Sequence, residues 1–278
     1  MADRSVTSIL PPSPVIDDGD MRLFRALPRP RHESVGPYVF VDHYRHASKR
    51  GIGDRPHPHA GIEVISYLLD GSSAHRDSLG NRDQLNAGDA QWIRAGRGMI
   101  HAEVPAGGRH GLQMWTALPP EQMLAEPEYR SFRASAIPQL ELDGNTVTVV
   151  AGTVMGITGP VVTATGAVLA HVALGGMTSL VLSVDPAAEL GVYVVAGELV
   201  VAGQLASLGE TVILGPGDTI VLTAGGPAQA ALFGGPSISH PLVFDGPFVM
   251  DKPERIVEAY RSFRSGGMGH LTDSDDPA

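Results

Sequence analysis

The chain has 278 residues, more than a single hydrophobic core usually serves, so two domains are expected. Acidic residues outnumber basic ones by 30 to 20, and the net charge of -10 disfavours direct binding to nucleic acid. The absence of cysteine excludes disulfides and thiolate ligands, so any metal ion must be bound by His, Asp or Glu.

Short runs rich in Val, Ile and Leu alternate with turn signals through most of the sequence, which contains 34 glycines and 22 prolines. Turns spaced by about 8–12 residues are typical of sandwiches and barrels of antiparallel strands. Examples of the runs are EVISYLLDG, TVTVVAG and GVYVVAGELVVAG. Because no long amphipathic pattern alternates with them, the sequence predicts an all-β fold and disfavours a doubly wound α/β fold.

Two pairs of candidate metal ligands occur at the same spacing in the first half of the chain. His57 and His59 precede an apolar run, and His101 and Glu103 follow a glycine-rich turn. Residues two apart in a strand point to the same side, so the pairs converge if both segments line one barrel. Single HxH pairs are weak signals, since most histidines are structural. Two such pairs predict an open site for a transition metal.

Three neighbouring segments carry turn or helix signals. The HRD triplet at 75–77 precedes SLGN and is interpreted as structural turn chemistry. Segment 95–101, AGRGMIH, predicts a sharp turn directly before the second ligand pair, because glycine adopts conformations that other residues avoid. Segment 120–132, PEQMLAEPEYRSF, predicts one or two turns of surface helix interrupted by Pro127.

The second half of the chain repeats the strand and turn pattern of the first. Segments 63–96 and 191–226 both read as strand, glycine turn, strand, GD turn and strand. We therefore predict a duplicated barrel, with a boundary near residues 135–145. The predicted domains are a metal-binding barrel over 1–135 and a second barrel over 136–278.

The second barrel lacks a comparable set of ligands. His171 is the only histidine between residues 146 and 239, so we expect no metal there and a scaffold role. Segment 159–184 has no charged residue and is long enough to span a bilayer. Its polar residues and the pair Gly175 and Gly176 instead favour two strands joined near these glycines.

A helix is predicted close to the C-terminus. Asp251 and Glu254 match a capping box, and Ile256, Tyr260 and Phe263 share one helical face before a glycine stop. We expect this helix to pack against a barrel wall.

Several of these motifs together resemble the pirin family of the cupin superfamily. They are HPHAGIEVISYLLDG, HRDSLGN, AGDAQWIRAGRGMIHAE and HGLQMWTALP, with GPYVFVDHY before them and DGPFVMDKPERIVEAYRSFRSG near the C-terminus. The resemblance implies a bicupin of two cupin-type antiparallel barrels with a C-terminal helix. It also implies that one metal ion, usually iron, is bound in the first barrel by the residues that fall on His57, His59, His101 and Glu103.

Other polar residues compete for a role near this site. The general cupin pattern places a glutamate ligand where Glu63 stands, but pirins use the glutamate that falls on Glu103. We therefore expect Glu63 to support the ligands rather than bind the metal. His43, His110 and Gln113 are further candidates for the pocket or for contacts behind the ligands.

The resemblance implies two functions of different classes. The first is a flavonol 2,3-dioxygenase similar to quercetin dioxygenases, in which Glu103 is the catalytic base for the substrate hydroxyl. The expected cofactor is one Fe(II), with Ni, Mn, Cu, Co or Zn as alternatives. The other function is a non-enzymatic, redox-sensing regulator that binds a transcription factor or a metabolic enzyme.

The expected partners follow from these functions. They are a small aromatic, flavonol-like substrate and dioxygen, with a protein partner as the alternative, and neither nucleic acid nor membrane. The start of the sequence has no signal-peptide pattern, so a cytoplasmic location is expected.

Overall fold

The computed structural model of the chain describes residues 2–47 and 51–271. Its earlier strands are β1 (Val6–Leu10), β2 (Pro14–Asp17), β3 (Met21–Leu27), β4 (Tyr38–His46), β5 (His57–His59), β6 (Ile62–Asp77), β7 (Arg82–Asn86), β8 (Ala90–Arg94), β9 (Met99–Ala117) and β10 (Glu128–Phe132).

The rest of the described chain continues the pattern of short strands. The elements are a 3-10 turn (Ala134–Ala136), β11 (Gln139–Leu142), β12 (Asn145–Ala151), β13 (Thr153–Val154), β14 (Ile157–Thr158), β15 (Val168–Leu174), β16 (Thr178–Ser183), β17 (Glu189–Ala196), β18 (Glu198–Val201), β19 (Gln204–Ser207), β20 (Thr211–Leu214), β21 (Thr219–Ala224), β22 (Ala228–Gly235), β23 (Val243–Asp245), β24 (Phe248–Met250) and the helix α1 (Pro253–Arg264). The predicted all-β fold with a C-terminal helix is confirmed.

The chain forms two compact units whose segments alternate along the sequence. The C-half unit consists of the N-terminal residues to Val15, Phe24–His43 and Ser135–Ser237. The N-half unit consists of Ile16–Leu23, Tyr44–Ala134 and the chain from Ile238 onward. The helix α1 therefore belongs to the N-half unit. The domains predicted over 1–135 and 136–278 concern which segments fold independently, and they stay a prediction.

The C-half unit is built from two antiparallel sheets around an apolar core. One sheet has the order β1-β20-β17-β22-β15-β12-β11, and the other has the order β16-β21-β18-β19. Their alternating apolar residues form one buried cluster that includes Val192, Leu222 and Leu232. Burial of such side chains is the main favourable contribution to the stability of a barrel of this kind.

The N-half unit is organised by two long, curved strands. β6 pairs with β9 from Ile62 opposite Ala117 to Asp77 opposite His101, with register shifts where the strands bend. The sheet order here is β10-β8-β6-β9, with β7 paired to β6 and β5 paired to β9. These pairings place both ends of β9 against β6, so side chains far apart in sequence line one interior.

The helix α1 packs on the N-half unit through an apolar cluster. Ile256 and Ala259 of the helix lie with Ile100 and Phe248 in this cluster, all of them buried. Phe263, which we expected on the buried face, is exposed. The buried face of the helix therefore contains Ala259 and not Phe263.

The start of α1 differs from the prediction. The N-cap is Lys252, which has extended backbone and makes no side-chain cap hydrogen bond, and Pro253 begins the helix. Proline is favoured at the first helical position because it needs no N–H partner. Asp251 instead pairs with Arg255 at 3.0 Å, so the predicted capping box is wrong.

Two further expectations are corrected or refined by the strand pairing. Residues 120–124 form turns, and Glu128–Phe132 is a strand that pairs with Ala90–Arg94, so the short helix predicted over 120–132 is wrong. Pro127 disfavours helix in the residue before it. The following residues are extended because they pair with β8.

Segment 159–184 forms strands, as predicted. The strands β15 and β16 flank Gly175 and Gly176, but they belong to different sheets. Among the described residues, no helix has the length and apolar character needed to cross a membrane.

Candidate metal centre

Strand pairing brings the three predicted histidine ligands together. β5 lies antiparallel to the start of β9, with His57 opposite His101. The ring centroid of His101 lies 4.4 Å from that of His57 and 5.0 Å from that of His59. One ring nitrogen of each histidine lies within 4.8 Å of the others. Three imidazoles from two strands therefore surround a space that suits a single cation.

Hydrogen bonds behind two of the rings set their orientation. His57 Nδ1 lies 2.9 Å from the Arg55 carbonyl oxygen, and His59 Nδ1 lies 3.3 Å from the Pro247 carbonyl oxygen. A carbonyl only accepts, so each Nδ1 donates and each Nε2 keeps a lone pair. Nε2 of His59 is buried and has no hydrogen-bond partner.

A glycine turn directly precedes His101 and Glu103, as predicted from AGRGMIH. Gly96 and Gly98 have φ angles of 51° and 130°. A Cβ atom on Gly96 would lie only 2.0 Å from the carbonyl oxygen of Ala125. Only glycine fits this position, so the turn fixes where β9 begins and hence where His101 points.

Burial keeps His59 and His101 neutral. Burial first, and then the neighbouring His57, lower the pKa of His59 to about 3. The pKa of His101 is held well below its usual range by burial first and then by His57 and His59. A neutral imidazole retains the lone pair that a metal ion requires.

Glu103 lies beside His101 and is held by three polar side chains. Its Oε1 atom lies 3.6 Å from His101 Nδ1. Gln91 donates to Oε1 at 2.6 Å, Gln113 donates to it at 3.4 Å, and Arg109 donates to Oε2 at 3.3 Å. The carboxylate is therefore fixed in one orientation at the edge of the histidine cluster.

The donor atoms of this cluster fit a transition metal. Buried polar atoms normally have hydrogen-bond partners, and those that lack one need an explanation. Both ring nitrogens of His101 and Nε2 of His59 lack one. Three imidazoles and one carboxylate match the ligands of Fe(II), Ni(II), Mn(II) or Co(II), and a cation would satisfy Nε2 of His59 and one ring nitrogen of His101.

Glu63 occupies a separate polar pocket. It is fully buried, and its two oxygens accept hydrogen bonds of 3.1 Å from Trp92 Nε1 and Thr116 Oγ1. Glu63 is in neither group of side chains whose possible ligand atoms lie within 4.8 Å of one another, which are His57, His59 and His101, and His75, His101 and Glu103. These bonds tie β6 to β8 and β9, which is consistent with a supporting role.

The other three candidates lie in different places. Gln113 reaches the site, since it contacts Glu103. His110 lies farther along β9, where it stands opposite Asp70 of β6, and burial is the main cause of its lowered pKa. His43 belongs to the C-half unit, where its Nδ1 atom lies 2.9 Å from the hydroxyl of Tyr193. The structure therefore brings Gln113 to the cluster but not His43.

Sequence reasoning missed four side chains that surround the ligands: His75, Asp77, Gln91 and Arg109. His75 lies opposite Glu103 across β6 and β9, and it forms a second group with His101 and Glu103 within 4.8 Å. The signal was present, because His75 and Asp77 repeat the two-residue spacing of the ligand pairs.

Comparison with known proteins identifies relatives along nearly the whole chain. The Pirin family model matches residues 20–116, and the model of the Pirin C-terminal cupin domain matches residues 169–269. The chain is 32% identical to Pirin from Homo sapiens, covering 89% of this chain and 88% of that protein. It is 31% identical to a Vibrio cholerae protein provisionally named a quercetin 2,3-dioxygenase, covering 95% of this chain and 97% of that protein.

Solved structures give the same fold. A quercetin 2,3-dioxygenase from Acinetobacter baumannii has a TM-score of 0.87 and 25% identity, covering 98% of this chain and 92% of that chain. The bacterial pirin YhhW from Escherichia coli, in complex with nickel(II), has a TM-score of 0.65 and 22% identity, covering 80% of this chain and 95% of that chain.

Proposed function

Because this chain belongs to the pirin family, we propose that it is a metal-dependent oxidoreductase that cleaves flavonols with dioxygen, as quercetin 2,3-dioxygenases do. The observation that supports the proposal is the buried cluster of His57, His59 and His101 with Glu103 beside it. The names of the Vibrio and Acinetobacter relatives support the reaction class.

The proposed cofactor is one divalent transition metal bound by His57, His59, His101 and Glu103. Fe(II) is our first choice, since histidines with one carboxylate and open positions suit non-haem iron, and the nickel complex of YhhW supports Ni(II) as an alternative. When bound, such a cation would act as a Lewis acid and, if redox-active, would supply electrons for dioxygen chemistry.

Glu103 is the proposed base for the flavonol 3-hydroxyl. Arg109 and Gln91 hold its carboxylate in place, so no reorientation is needed when a substrate proton arrives at Oε1. The hydroxyl oxygen must come within about 2.6–3.2 Å of this atom for the transfer to be effective.

The surroundings of the histidines favour an aromatic substrate. His59 packs edge-on against Trp115 with ring centroids 4.8 Å apart, so one side of the cluster is apolar. His57 is only partly buried, whereas His59 and His101 are buried, so we propose that substrate enters from the side of His57. An apolar wall with a few fixed polar groups is the usual form of a small-molecule pocket.

The experiment is an oxygen-uptake assay with quercetin and protein reconstituted separately with Fe(II), Ni(II), Mn(II) or Co(II). We expect loss of flavonol absorbance, matched by dioxygen consumption and carbon monoxide release. Glu103→Gln should reduce the rate by about 100-fold or more, since it removes the base. His171→Ala, in the C-half unit, is the matched control and should retain the wild-type rate.

Metal-loaded protein that leaves every flavonol intact would overturn the dioxygenase proposal. The non-enzymatic regulator would then be the favoured function, and it would be tested by asking whether metal loading changes binding to a protein partner.

A further inference from the structure

His75 and Asp77 form a buried couple behind the metal centre that the proposed reaction does not use. His75 Nε2 lies 3.3 Å from Asp77 Oδ2, and both side chains have no exposed surface. Three donors hold the Asp77 carboxylate: the backbone amides of Leu79 and Asn81, both at 2.9 Å, and the Asn81 side-chain amide at 2.8 Å. The carboxylate therefore has a fixed position.

This arrangement determines the tautomer of His75. A carboxylate accepts hydrogen bonds, so Nε2 of His75 carries the proton and donates it to Asp77. Nδ1 then holds a lone pair, and this atom is buried without a partner. The ring of Tyr129 stacks on His75 with centroids 4.0 Å apart and planes 10° apart, so the imidazole has little freedom to turn away.

His101 presents the complementary need. A neutral imidazole has one lone pair and one N–H, and both ring nitrogens of His101 are buried without partners. A cation takes the lone pair of one nitrogen, which leaves the N–H of the other in need of an acceptor. Glu103 Oε1 lies 3.6 Å from His101 Nδ1, but in the proposed function it receives the substrate proton, so it is not the lasting acceptor of this N–H. Nδ1 of His75 accepts from no donor.

We propose that His75, oriented by Asp77, is a positioning residue for the metal ligand His101. The Nδ1 lone pair of His75 receives the N–H of His101 that does not face the cation, directly or through one water molecule. The ring centroids of His75 and His101 are 5.8 Å apart and each ring places a nitrogen within 4.8 Å of the other, a gap that one water molecule or a small rotation of His101 closes. The chain Asp77–His75–His101 fixes the orientation of His101 and makes its metal-binding nitrogen a stronger donor.

This inference rests on the proposed function, but its test does not depend on turnover. The test measures Co(II) affinity by competition with a chelator, together with the visible absorption of the bound Co(II), which reports ligand geometry. The variants are His75→Phe, which keeps an aromatic ring against Tyr129, and Asp77→Asn, which keeps the shape of the carboxylate. Tyr129→Phe keeps the stacked ring and both members of the couple, so it is the matched control.

We expect His75→Phe and Asp77→Asn each to weaken Co(II) binding by about 10–100-fold and to shift the visible bands, the usual effect of removing a hydrogen-bond partner of a ligand. Tyr129→Phe should match the wild type in both measurements. Circular dichroism establishes that each variant is folded, and Asp77→Asn provides the test if His75→Phe does not fold.

Two results would overturn the inference. One is a folded His75→Phe or Asp77→Asn variant whose affinity and spectrum equal those of Tyr129→Phe. The other is Co(II) binding that survives removal of both His57 and His59 but is lost with His75, because His75 would then be a ligand. Wild-type protein that binds Co(II) but leaves flavonols intact with each of the four metals would contradict the dioxygenase proposal alone.

Discussion

The two units share a β architecture but use their interiors differently. In the C-half unit the strands bury a continuous apolar cluster, with residues such as Val192 and Leu232 in its centre. In the N-half unit the long strands β6 and β9 bury His75, His101 and Glu103 alongside apolar residues. Barrel walls of one kind can therefore enclose either a packed core or a polar site, and only the inward-facing side chains decide which.

The largest expected effect comes from removing His101, the histidine that lies next to both His57 and His59 in the N-half unit. We expect His101→Ala to abolish stoichiometric metal binding, because it deletes the ring in contact with both other ligand histidines. His171→Ala should leave binding unchanged, since His171 lies in the C-half unit beside Gln229. Metal content by mass spectrometry measures both, and equal losses would contradict the assignment of the site to one unit.

The second prediction concerns the apolar core of the C-half unit, where a substitution should change stability and not metal binding. Leu232 is 1% exposed, so Leu232→Ala should lower the free energy of unfolding by about 2–5 kcal/mol through lost burial and a new cavity. Urea unfolding followed by circular dichroism measures this change. Met177→Ala is the control, because Met177 is 89% exposed and its truncation should cost less than about 0.5 kcal/mol.

The smallest expected effect distinguishes whether Glu63 supports the candidate ligands or binds the metal itself. Glu63→Gln keeps one oxygen to accept from Trp92 Nε1 but replaces the other by an NH2 group, so the Thr116 hydroxyl must change from donor to acceptor. We expect a loss of about 1–3 kcal/mol in the free energy of unfolding, with unchanged Co(II) affinity. A large drop in Co(II) affinity, similar to that of Glu103→Gln, would instead place Glu63 among the ligands.

The parts that the sequence predicts well depend on local periodicity. The two-residue repeat of extended strands brings His57 and His59 to one side, and pairing of β5 with β9 places His101 opposite His57. The glycine turn at Gly96 is readable because no other residue fits its conformation and space. The spacing of the histidines and the positions of the glycines are local features of the sequence, whereas the pairing of β5 with β9 depends on both segments lining one barrel.

The parts that the sequence does not predict depend on distant segments. Nothing local to His59 indicates that the carbonyl of Pro247 orients its ring. His75 and Asp77 resemble hairpin chemistry until β6 is seen to run on beside His101. At α1, two favourable N-terminal patterns compete, and Pro253 at the first position prevails over the capping box.

The return of the C-terminal segment to the N-half unit has a consequence for biosynthesis. Pro247, which orients His59, and α1, which covers Ile100, are made long after the ligand strands have left the ribosome. A nascent chain that ends before residue 247 lacks the acceptor for His59 and exposes the apolar surface around Ile100. We therefore expect tight metal binding only after residues 247–264 have been made, so termination before residue 247 would yield protein that binds its cation weakly.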